Sequence, residues 1–567
     1  MSVDITVTIG GAAGQGIQTV GDLLAGACYR SGLYLMAVND FESRIRGGHS
    51  FMQIRVSDQP VAAPYHKIHL LVALNRETYD RHREEVAANG KILLDQADGT
   101  DEKNVLAVPF TRMAEDAGGK IMTNAVAAGA CLALMGAPVS VLEAELKERF
   151  GDKASVLENN LNAARQGYDA VREESVDWRI DWPDQAPRGQ LLSGARALAL
   201  GALAADCRLA AFYPMSPATG IMVNLAEFAD QLPLVVEQAE GEIAAINMAI
   251  GGAFAGVRSM TATSGGGFSL MVEGLGLAAI TETPIVVINA QRPGPATGLP
   301  TRTAQGDLQF VIHASQDEFP RFVFAPTAVN QAFETVIRGF HLAEKYQVPV
   351  IILADQYFND SLFIADSALT VPAQIERFLA NDADMADPAA YKRFSLTESG
   401  VSPRALPCRG KALVTVTANE HSEDGHISEA ITDRTNMVNK RNGKSAAMRG
   451  EMAPPAEYHG GSETLLVGWG STAGTIREAV DLLRNDNYDV GALLFSDLWP
   501  FPEAQVQKAL SGCKRFFTVE LNASSQLGRL IREQSGLVFE RSIVQYDGRP
   551  FMPNDIAAEV KNIMGDS

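Results

Sequence analysis

Cysteine is scarce and scattered in this chain. Its 567 residues carry five: Cys28, Cys131, Cys207, Cys408 and Cys513. The number is odd and no two form a Cys-x-x-Cys pair, which argues against a disulfide framework and fits a reducing cytoplasm. The same scatter argues against an iron–sulfur or zinc site encoded locally, so no metal ligands are predicted in this chain. Basic residues are also few: 48 Lys and Arg stand against 68 Asp and Glu, a formal net charge of −20. Phosphate backbones are held by clustered Lys and Arg, so nucleic acid is not an expected partner, and docking on an anionic membrane is disfavoured. The opening MSVDITVTIGG has no basic region followed by an apolar one, so no secretory signal is expected. Apolar runs such as PIVVINA and VPVIILAD have the length of a buried strand, far short of the ~20 residues of a membrane span. The expected location is the cytoplasm.

What is present is material for several cores. At 46% hydrophobic, the length suits about three to four domains at ~150 residues each. Residues 1–180 alternate strands (DITVTIGG, HLLVALN, KILLDQ, VLAVPF) with helices (IQTVGDLLAGACYRSG, NAVAAGACLALMGAP), which predicts an α/β domain with a mostly parallel sheet. WRIDWPDQAPRGQ, at 178–190, reads as a linker. A second α/β block spans 191–370, with strands MTATS, PIVVINA and VPVIILAD. Residues 371–460 are polar, Pro-containing and then basic, and read as an extended connector with little core of its own. A third α/β block, 461–567, opens on TLLVGWG and the helix STAGTIREAVDLLRN.

Five segments carry chemistry. In EQAEGEIAAINMAIGGAFAGVRSMTATSGGGFSL, Glu242 opens a helix of small and apolar residues, followed by a strand and the turn Thr263-Ser264-Gly265-Gly266-Gly267. A lone Glu at a helix N-terminus merely suits the macrodipole; the glycine turn at this distance favours a carboxylate kept for chemistry. FYPMSPATG holds the hydroxyl of Ser216 between Pro214 and Pro217, which stiffen the loop. INAQRPGPATGLPTRTAQGDLQF follows a buried strand, where open α/β sheets place ligands. It presents Arg292, Thr297, Thr301 and Arg302, and an Arg fork matches a carboxylate. GGAAGQG, with Gly11, Gly14 and Gly16, is either an anion-binding strand-to-helix junction or a tight turn without a ligand. FESRIRGGHS sets Arg44, Arg46 and His49 beside two glycines, as a grip for a phosphate or a partner's carboxylate, or as a solvated basic loop.

The order of Glu, small-residue helix, strand and Ser-Gly turn resembles the pyrimidine-binding domain of thiamine diphosphate enzymes. There a carboxylate hydrogen-bonded to the aminopyrimidine favours its imino tautomer, which takes the proton from C2 of the thiazolium. Over nearly its whole length the chain resembles the 2-oxoacid:ferredoxin oxidoreductases, in the form of a large subunit with a γ domain fused ahead of the α domains. GGAAGQGIQTVGDLLA and RIRGGHS are similar to the γ domain. YPMSPATG, EGEIAAINMAIGGAFAG, TATSGGGFSLM and QRPGPATGLPTRTAQGDL are similar to the pyrimidine domain. YKRFSLTESGVSPRALP and GWGSTAGTIREAV are similar to the connector and a transketolase-like C-terminal α/β domain.

The resemblance implies oxidative decarboxylation of a 2-oxoacid, one-electron transfers to ferredoxin and capture of the acyl group by coenzyme A. It makes Glu242 the cofactor-activating acid, with Tyr213, Pro214, Ser264, Gly265 and Gly266 as cofactor contacts. Ser216 falls where the family's YPITP motif has Thr, so a hydroxyl survives and a methyl is lost. Arg292 is the first candidate for the substrate carboxylate and Arg302 the second, with Thr301 beside it. Gly11, Gly14, Gly16, Arg44 and Arg46 are candidate anion or coenzyme A contacts. The chain lacks the GDG…N pattern that holds the metal–diphosphate end of the cofactor. The resemblance therefore implies a β subunit carrying that site, its Mg²⁺ and a 4Fe–4S cluster, an α2β2 heterotetramer, and ferredoxin docking mainly on that partner, since a chain at −20 is a poor face for an acidic protein. The fused architecture and the QRPGPATGLPTRT loop look more like the 2-oxoglutarate branch, forming succinyl-CoA, than the pyruvate or branched-chain branches. Two other classes fit parts of the pattern: a non-reductive thiamine diphosphate synthase or decarboxylase, and a noncatalytic scaffold subunit.

Overall fold

The computed structural model describes residues 3–42, 48–98, 102–183 and 185–565. The chain divides into two compact units. The first is Met1–Leu192 with Ser361–Ala368 and Met552–Asp555; the second is Ser193–Asp360 with Leu369–Phe551 and Ile556–Ser567.

The first unit is built on an eight-stranded sheet in the order Val105–Val108, Val86–Asp95, Ile68–Ala73, Asp4–Ala12, His49–Ser57, Tyr34–Phe41, Leu362–Ala365, Gln190–Ser193. The first four strands are parallel, as the strand–helix alternation predicts. The prediction of a mostly parallel sheet fails in the other half. Strand His49–Ser57 runs antiparallel to both Asp4–Ala12 and Tyr34–Phe41. Helix Thr123–Met135 is apolar all round, and Ala125–Met135 are all buried. It lies against helix Ala154–Val171 at backbone distance. A Cβ at Gly129 would stand 2.0 Å from the Ala164 carbonyl oxygen, and one at Gly167 2.0 Å from that of Val126. Only glycine permits that approach.

Two boundaries shift. The stretch predicted as a linker packs into the first core through Trp178 and Ile180. The indoles of Trp178 and Trp182 donate to the carbonyls of Asn89 and Met135, at 3.0 and 3.1 Å. Apolar anchors outweigh the local Pro and charge. Strand Leu362–Ala365, inside the predicted second block, pairs with Tyr34–Phe41 in the first sheet.

The second unit holds two sheets. Seven strands run in the order Asp497–Trp499, Phe322–Phe324, Pro349–Asp355, Ile285–Gln291, Arg258–Thr263, Cys207–Phe212, Val235–Gln238. All neighbours are parallel except Asp497–Trp499, which the C-terminal segment adds antiparallel at the edge. The central strands are buried on both faces, which explains their continuous apolar runs. The five-stranded sheet has the order Ala456–Tyr458, Val490–Phe495, Thr464–Trp469, Arg515–Glu520, Arg541–Val544. One apolar cluster joins both sheets, with Phe268, Leu308 and Ile351 packed among Trp469, Leu493 and Phe501.

Between them, residues 371–460 form one isolated bridge, His421 with Ile427, the helices Ile431–Gly443 and Ser445–Gly450, and the edge strand Ala456–Tyr458 that joins the five-stranded sheet. Buried charges anchor this segment. Lys440 and Lys444 each lie 2.6 Å from the Glu282 carboxylate. Arg377 and Arg404 join Arg258 around buried Glu344, at 2.8–3.2 Å. Burial works to raise the Glu282 pKa, but the two ammonium groups outweigh it and hold the carboxyl well below its usual range.

Candidate active site

Strands Cys207–Phe212, Arg258–Thr263, Ile285–Gln291 and Pro349–Asp355 are parallel, so their carboxyl ends lie on one edge of the sheet. The segments leaving that edge carry Tyr213–Gly220, Ser264–Gly267, Arg292–Asp307 and Gln356–Asp360. This is the edge where an open α/β sheet binds ligands.

Glu242 is the first residue of helix Glu242–Ala255 and is 5% exposed. The chain reaches it from strand Val235–Gln238, and Ala239 donates its N–H to the Phe212 carbonyl at 2.7 Å. The carboxylate presses on the glycine run, which is predicted as a turn but forms the first residues of helix Gly265–Ile280. A Cβ at Gly267 would lie 2.7 Å from Glu242 Oε1 and 2.0 Å from Thr263 Oγ1. Oε1 is shielded from solvent and accepts no hydrogen bond from a described residue; the same is true of Ser264 Oγ and Asn289 Oδ1. Ser264 stands at the N-cap of helix Gly265–Ile280 without capping it. Gly265 admits Asp307, whose Oδ2 would be 2.5 Å from a Cβ there, and a Cβ at Gly266 would meet the Ala296 carbonyl oxygen at 3.7 Å. Asn289 Nδ2 donates to that Asp307 oxygen at 3.0 Å, and Gln291 Oε1 accepts from the Asp307 N–H at 3.0 Å. Burial pushes the Asp307 carboxyl up, and the bond from Asn289 partly offsets the shift.

The two first-choice substrate residues meet. Arg292 Nη1 donates to the Ser216 carbonyl at 2.7 Å, and partial burial lowers the guanidinium pKa. Ser216 and Tyr213 are exposed at the edge, with Pro214 half-buried between them. Thr301 is buried, and Arg302 lies along the turn at Gly548, where a Cβ would be 2.9 Å from Arg302 Cβ. Gln305 fixes the far end of the loop. Its amide donates to the Trp469 carbonyl at 2.7 Å and accepts from the Leu521 N–H at 3.1 Å.

In the first unit, Gly11 is the penultimate residue of strand Asp4–Ala12, while Gly14 and Gly16, with φ of 90° and 82°, form the turn into helix Ile17–Arg30. A Cβ at Gly16 would strike Asn124. Arg44 and Arg46 lie outside the described residues. His49, which follows the two glycines, is a buried strand residue. Its Nε2 lies 2.7 Å from His82 Nε2, and His82 Nδ1 2.9 Å from Glu85.

Sequence reasoning missed Asn289, Gln291, Asp307 and Gln305. Asn289 and Gln291 left a signal, being two polar residues at alternate positions ending an apolar strand. Gln305 left none, because its partners lie in the last sheet.

Known proteins place this geometry. Residues 6–170 match the family described as pyruvate ferredoxin/flavodoxin oxidoreductase, 200–440 its thiamine-diphosphate-binding domain, and 462–556 core domain II of pyruvate:ferredoxin oxidoreductase. The α subunit of a 2-oxoacid:ferredoxin oxidoreductase from a Sulfolobus species is 32% identical over 98% of this chain and 96% of its own. The KorA subunit of 2-oxoglutarate synthase from Methanothermobacter thermautotrophicus is 30% identical over 64% of this chain and 96% of its own. The 2-oxoglutarate:ferredoxin oxidoreductase of Magnetococcus marinus, solved with 2-oxoglutarate, coenzyme A and succinyl-CoA bound, superposes with a TM-score of 0.91 at 31% identity over 99% of both chains. With its α/β blocks, glycine-cradled Glu242 and full-length likeness to these proteins, the chain belongs to the 2-oxoacid:ferredoxin oxidoreductases, among their α subunits.

Proposed function

We propose that this chain is the large subunit of an enzyme that converts 2-oxoglutarate and coenzyme A to succinyl-CoA and CO2, passing electrons to ferredoxin. The observation that carries the substrate is the full-length likeness to the Magnetococcus marinus enzyme, whose structure holds those ligands.

Thiamine diphosphate fits the residues present. A buried carboxylate oxygen without a donor is unfavourable by about 1–3 kcal/mol, and Glu242 Oε1 is such an atom, beside a cradle kept open by glycine. A ring N–H of the cofactor's pyrimidine would satisfy it. When bound, the cofactor supplies the thiazolium carbon that stabilises the carbanion left by loss of CO2. Glu242 holds the proton on the pyrimidine side, and Ser264, Gly265, Gly266, Tyr213 and Pro214 shape the surface it meets. Arg292 and Ser216 orient the 1-carboxylate of the 2-oxoacid, by a charge-assisted bond and a hydroxyl. Its distal carboxylate is met by Arg302, Thr301 or a residue of the β partner. Gly11, Gly14 and Gly16, with Arg44 and Arg46, contact coenzyme A.

The diphosphate, Mg²⁺ and 4Fe–4S sites belong to a β partner in an α2β2 assembly, and ferredoxin docks mainly on that partner. Among the described residues no group of three or more His, Cys, Asp or Glu is placed to hold a metal ion. Cys28, Cys131 and Cys207 are buried singly. On the two helices that meet at Glu242, Ile243, Met248 and Leu270 are exposed apolar side chains suited to a partner. None of the described helices is long and apolar enough to cross a membrane, and a cytoplasmic location is proposed.

The test is anaerobic expression of residues 1–567 with and without a β subunit, supplied with iron, sulfide and thiamine diphosphate. The complex should show iron–sulfur absorption and reduce viologen with 2-oxoglutarate and coenzyme A, and the lone chain should do neither. Activity of the lone chain would overturn the partner assignment. A complex that turns over pyruvate and not 2-oxoglutarate would overturn the substrate.

A further inference from the structure

The Ser216 loop is held from two sides. Arg292 takes the Ser216 carbonyl. The next carbonyl, of Pro217, accepts from Asn359 Nδ2 at 3.2 Å. Asn359 is 1% exposed, and its Oδ1 accepts nothing from a described residue. One amide hydrogen bond is therefore what it makes, and that bond reaches the loop bearing the substrate hydroxyl.

Asn359 is itself built in. It sits on the short helix Gln356–Asp360, directly after strand Pro349–Asp355. Asp355 Oδ1 accepts from the Phe358 N–H at 2.9 Å, and Thr303 Oγ1 from the Tyr357 N–H at 3.3 Å. The second Asp355 oxygen accepts from Ser471 Oγ, at the start of the C-terminal α/β block. A continuous path thus runs Ser471, Asp355, the short helix, Asn359, Pro217, Ser216. The polar groups along it are fixed by burial, where an unmade bond is costly and a made one is rigid.

We propose that Asn359 is a positioning residue for the 2-oxoacid. By holding the Pro217 carbonyl it sets the Ser216 side of the Arg292–Ser216 pair, and through Asp355 and Ser471 it ties that pair to the C-terminal block. The proposal rests on the assignment of Arg292 and Ser216 to the substrate carboxylate.

The experiment uses the assembled holoenzyme, with 2-oxoacid and coenzyme A kinetics measured separately. Asn359→Ala should raise the KM for the 2-oxoacid several-fold and leave that for coenzyme A within twofold. Asn359→Asp keeps the shape and replaces the donor with an oxygen facing the Pro217 carbonyl. Its 2-oxoacid KM should exceed that of Asn359→Ala at pH 8 and fall toward wild type at pH 6, as the carboxyl gains a proton it can donate. Arg292→Lys is the reference for the underlying site. If it raises the 2-oxoacid KM while folded Asn359 variants leave it unchanged, or shift both substrates alike, the role of Asn359 is overturned and the site stands. If Arg292→Lys has no effect either, both are overturned. Should Asn359→Ala fail to assemble, the isosteric Asp variant decides by its pH dependence: a 2-oxoacid KM that follows the wild-type profile rejects the proposal.

Discussion

Arg292 Nη1 lies 2.7 Å from the carbonyl oxygen of Ser216, so one guanidinium fastens the Pro-stiffened loop that bears the Ser216 hydroxyl. A planar fork serves two acceptors at once, whereas an ammonium is a compact point charge. Loss of one charge-assisted hydrogen bond costs about 1.5–3 kcal/mol. Arg292→Lys is therefore expected to raise the KM for the 2-oxoacid by roughly tenfold or more, with coenzyme A kinetics nearly unchanged. Arg302, which lies along the Gly548 turn, should give a smaller effect as Lys. If the order is reversed in steady-state kinetics, the two roles exchange.

Glu242→Gln keeps the side chain's shape and removes its charge. Turnover should fall at least ~10²-fold, the scale of a lost acid–base group, while the subunits still co-purify. Near-normal turnover in a folded complex would remove Glu242 from the mechanism.

The cradle makes a separate prediction. A methyl at Gly267 would come 2.0 Å from Thr263 Oγ1 and 2.7 Å from Glu242 Oε1. Alanine is favoured over glycine in a helix by ~1 kcal/mol, so propensity alone makes Gly267→Ala harmless. Sterics should win: the thiamine diphosphate affinity of the complex, read by calorimetric titration, should drop with the subunits still assembled. An unchanged dissociation constant would mean that the carboxylate has room to move.

The sequence shows its local signals most clearly. The small-residue helix behind Glu242 and the apolar strands appear where pattern predicts them, because each is set by neighbours a few residues away; the glycines predicted as a turn instead open helix Gly265–Ile280. What it hides is long-range pairing. Strand Leu362–Ala365 is too short to declare its sheet, and it is drawn to Tyr34–Phe41. Glu282 reads as a surface residue until Lys440 and Lys444 close on it from a segment that looks like a bare connector. Asn359 sits in an unremarkable QYFND, and its meaning comes only from the Pro217 carbonyl.

Gln305 tests how far the substrate loop depends on the last sheet. Its fully buried amide satisfies the Trp469 carbonyl and the Leu521 N–H. Gln305→Ala strands the Leu521 N–H, at about 1–3 kcal/mol for a buried group, while the Trp469 carbonyl keeps the Thr472 hydroxyl at 2.9 Å. The variant should melt at lower temperature and show a raised 2-oxoacid KM, since the same loop carries Arg292. A lower melting temperature with unaltered KM would confine Gln305 to stability.

Asp355 gives the fold a pH dependence whose sign can be worked out. Burial pushes its pKa from 3.8 up to about 6, against the opposing hydrogen bonds from Ser471 and the Phe358 N–H. The folded value exceeds the unfolded one, so the folded chain binds this proton more tightly. The contribution to stability is present in full below about pH 4 and is lost as pH rises through about 6. Asp355→Asn removes the titration while keeping an acceptor for Phe358. Any packing change the substitution brings is the same at every pH, so the difference between variant and wild type isolates the charge. That difference should grow in favour of the variant between pH 4 and pH 6, by up to about 3 kcal/mol, and stay level to pH 8. Denaturant unfolding across this range measures it, and a difference that does not change with pH would show that Asp355 is ionised in the folded chain throughout.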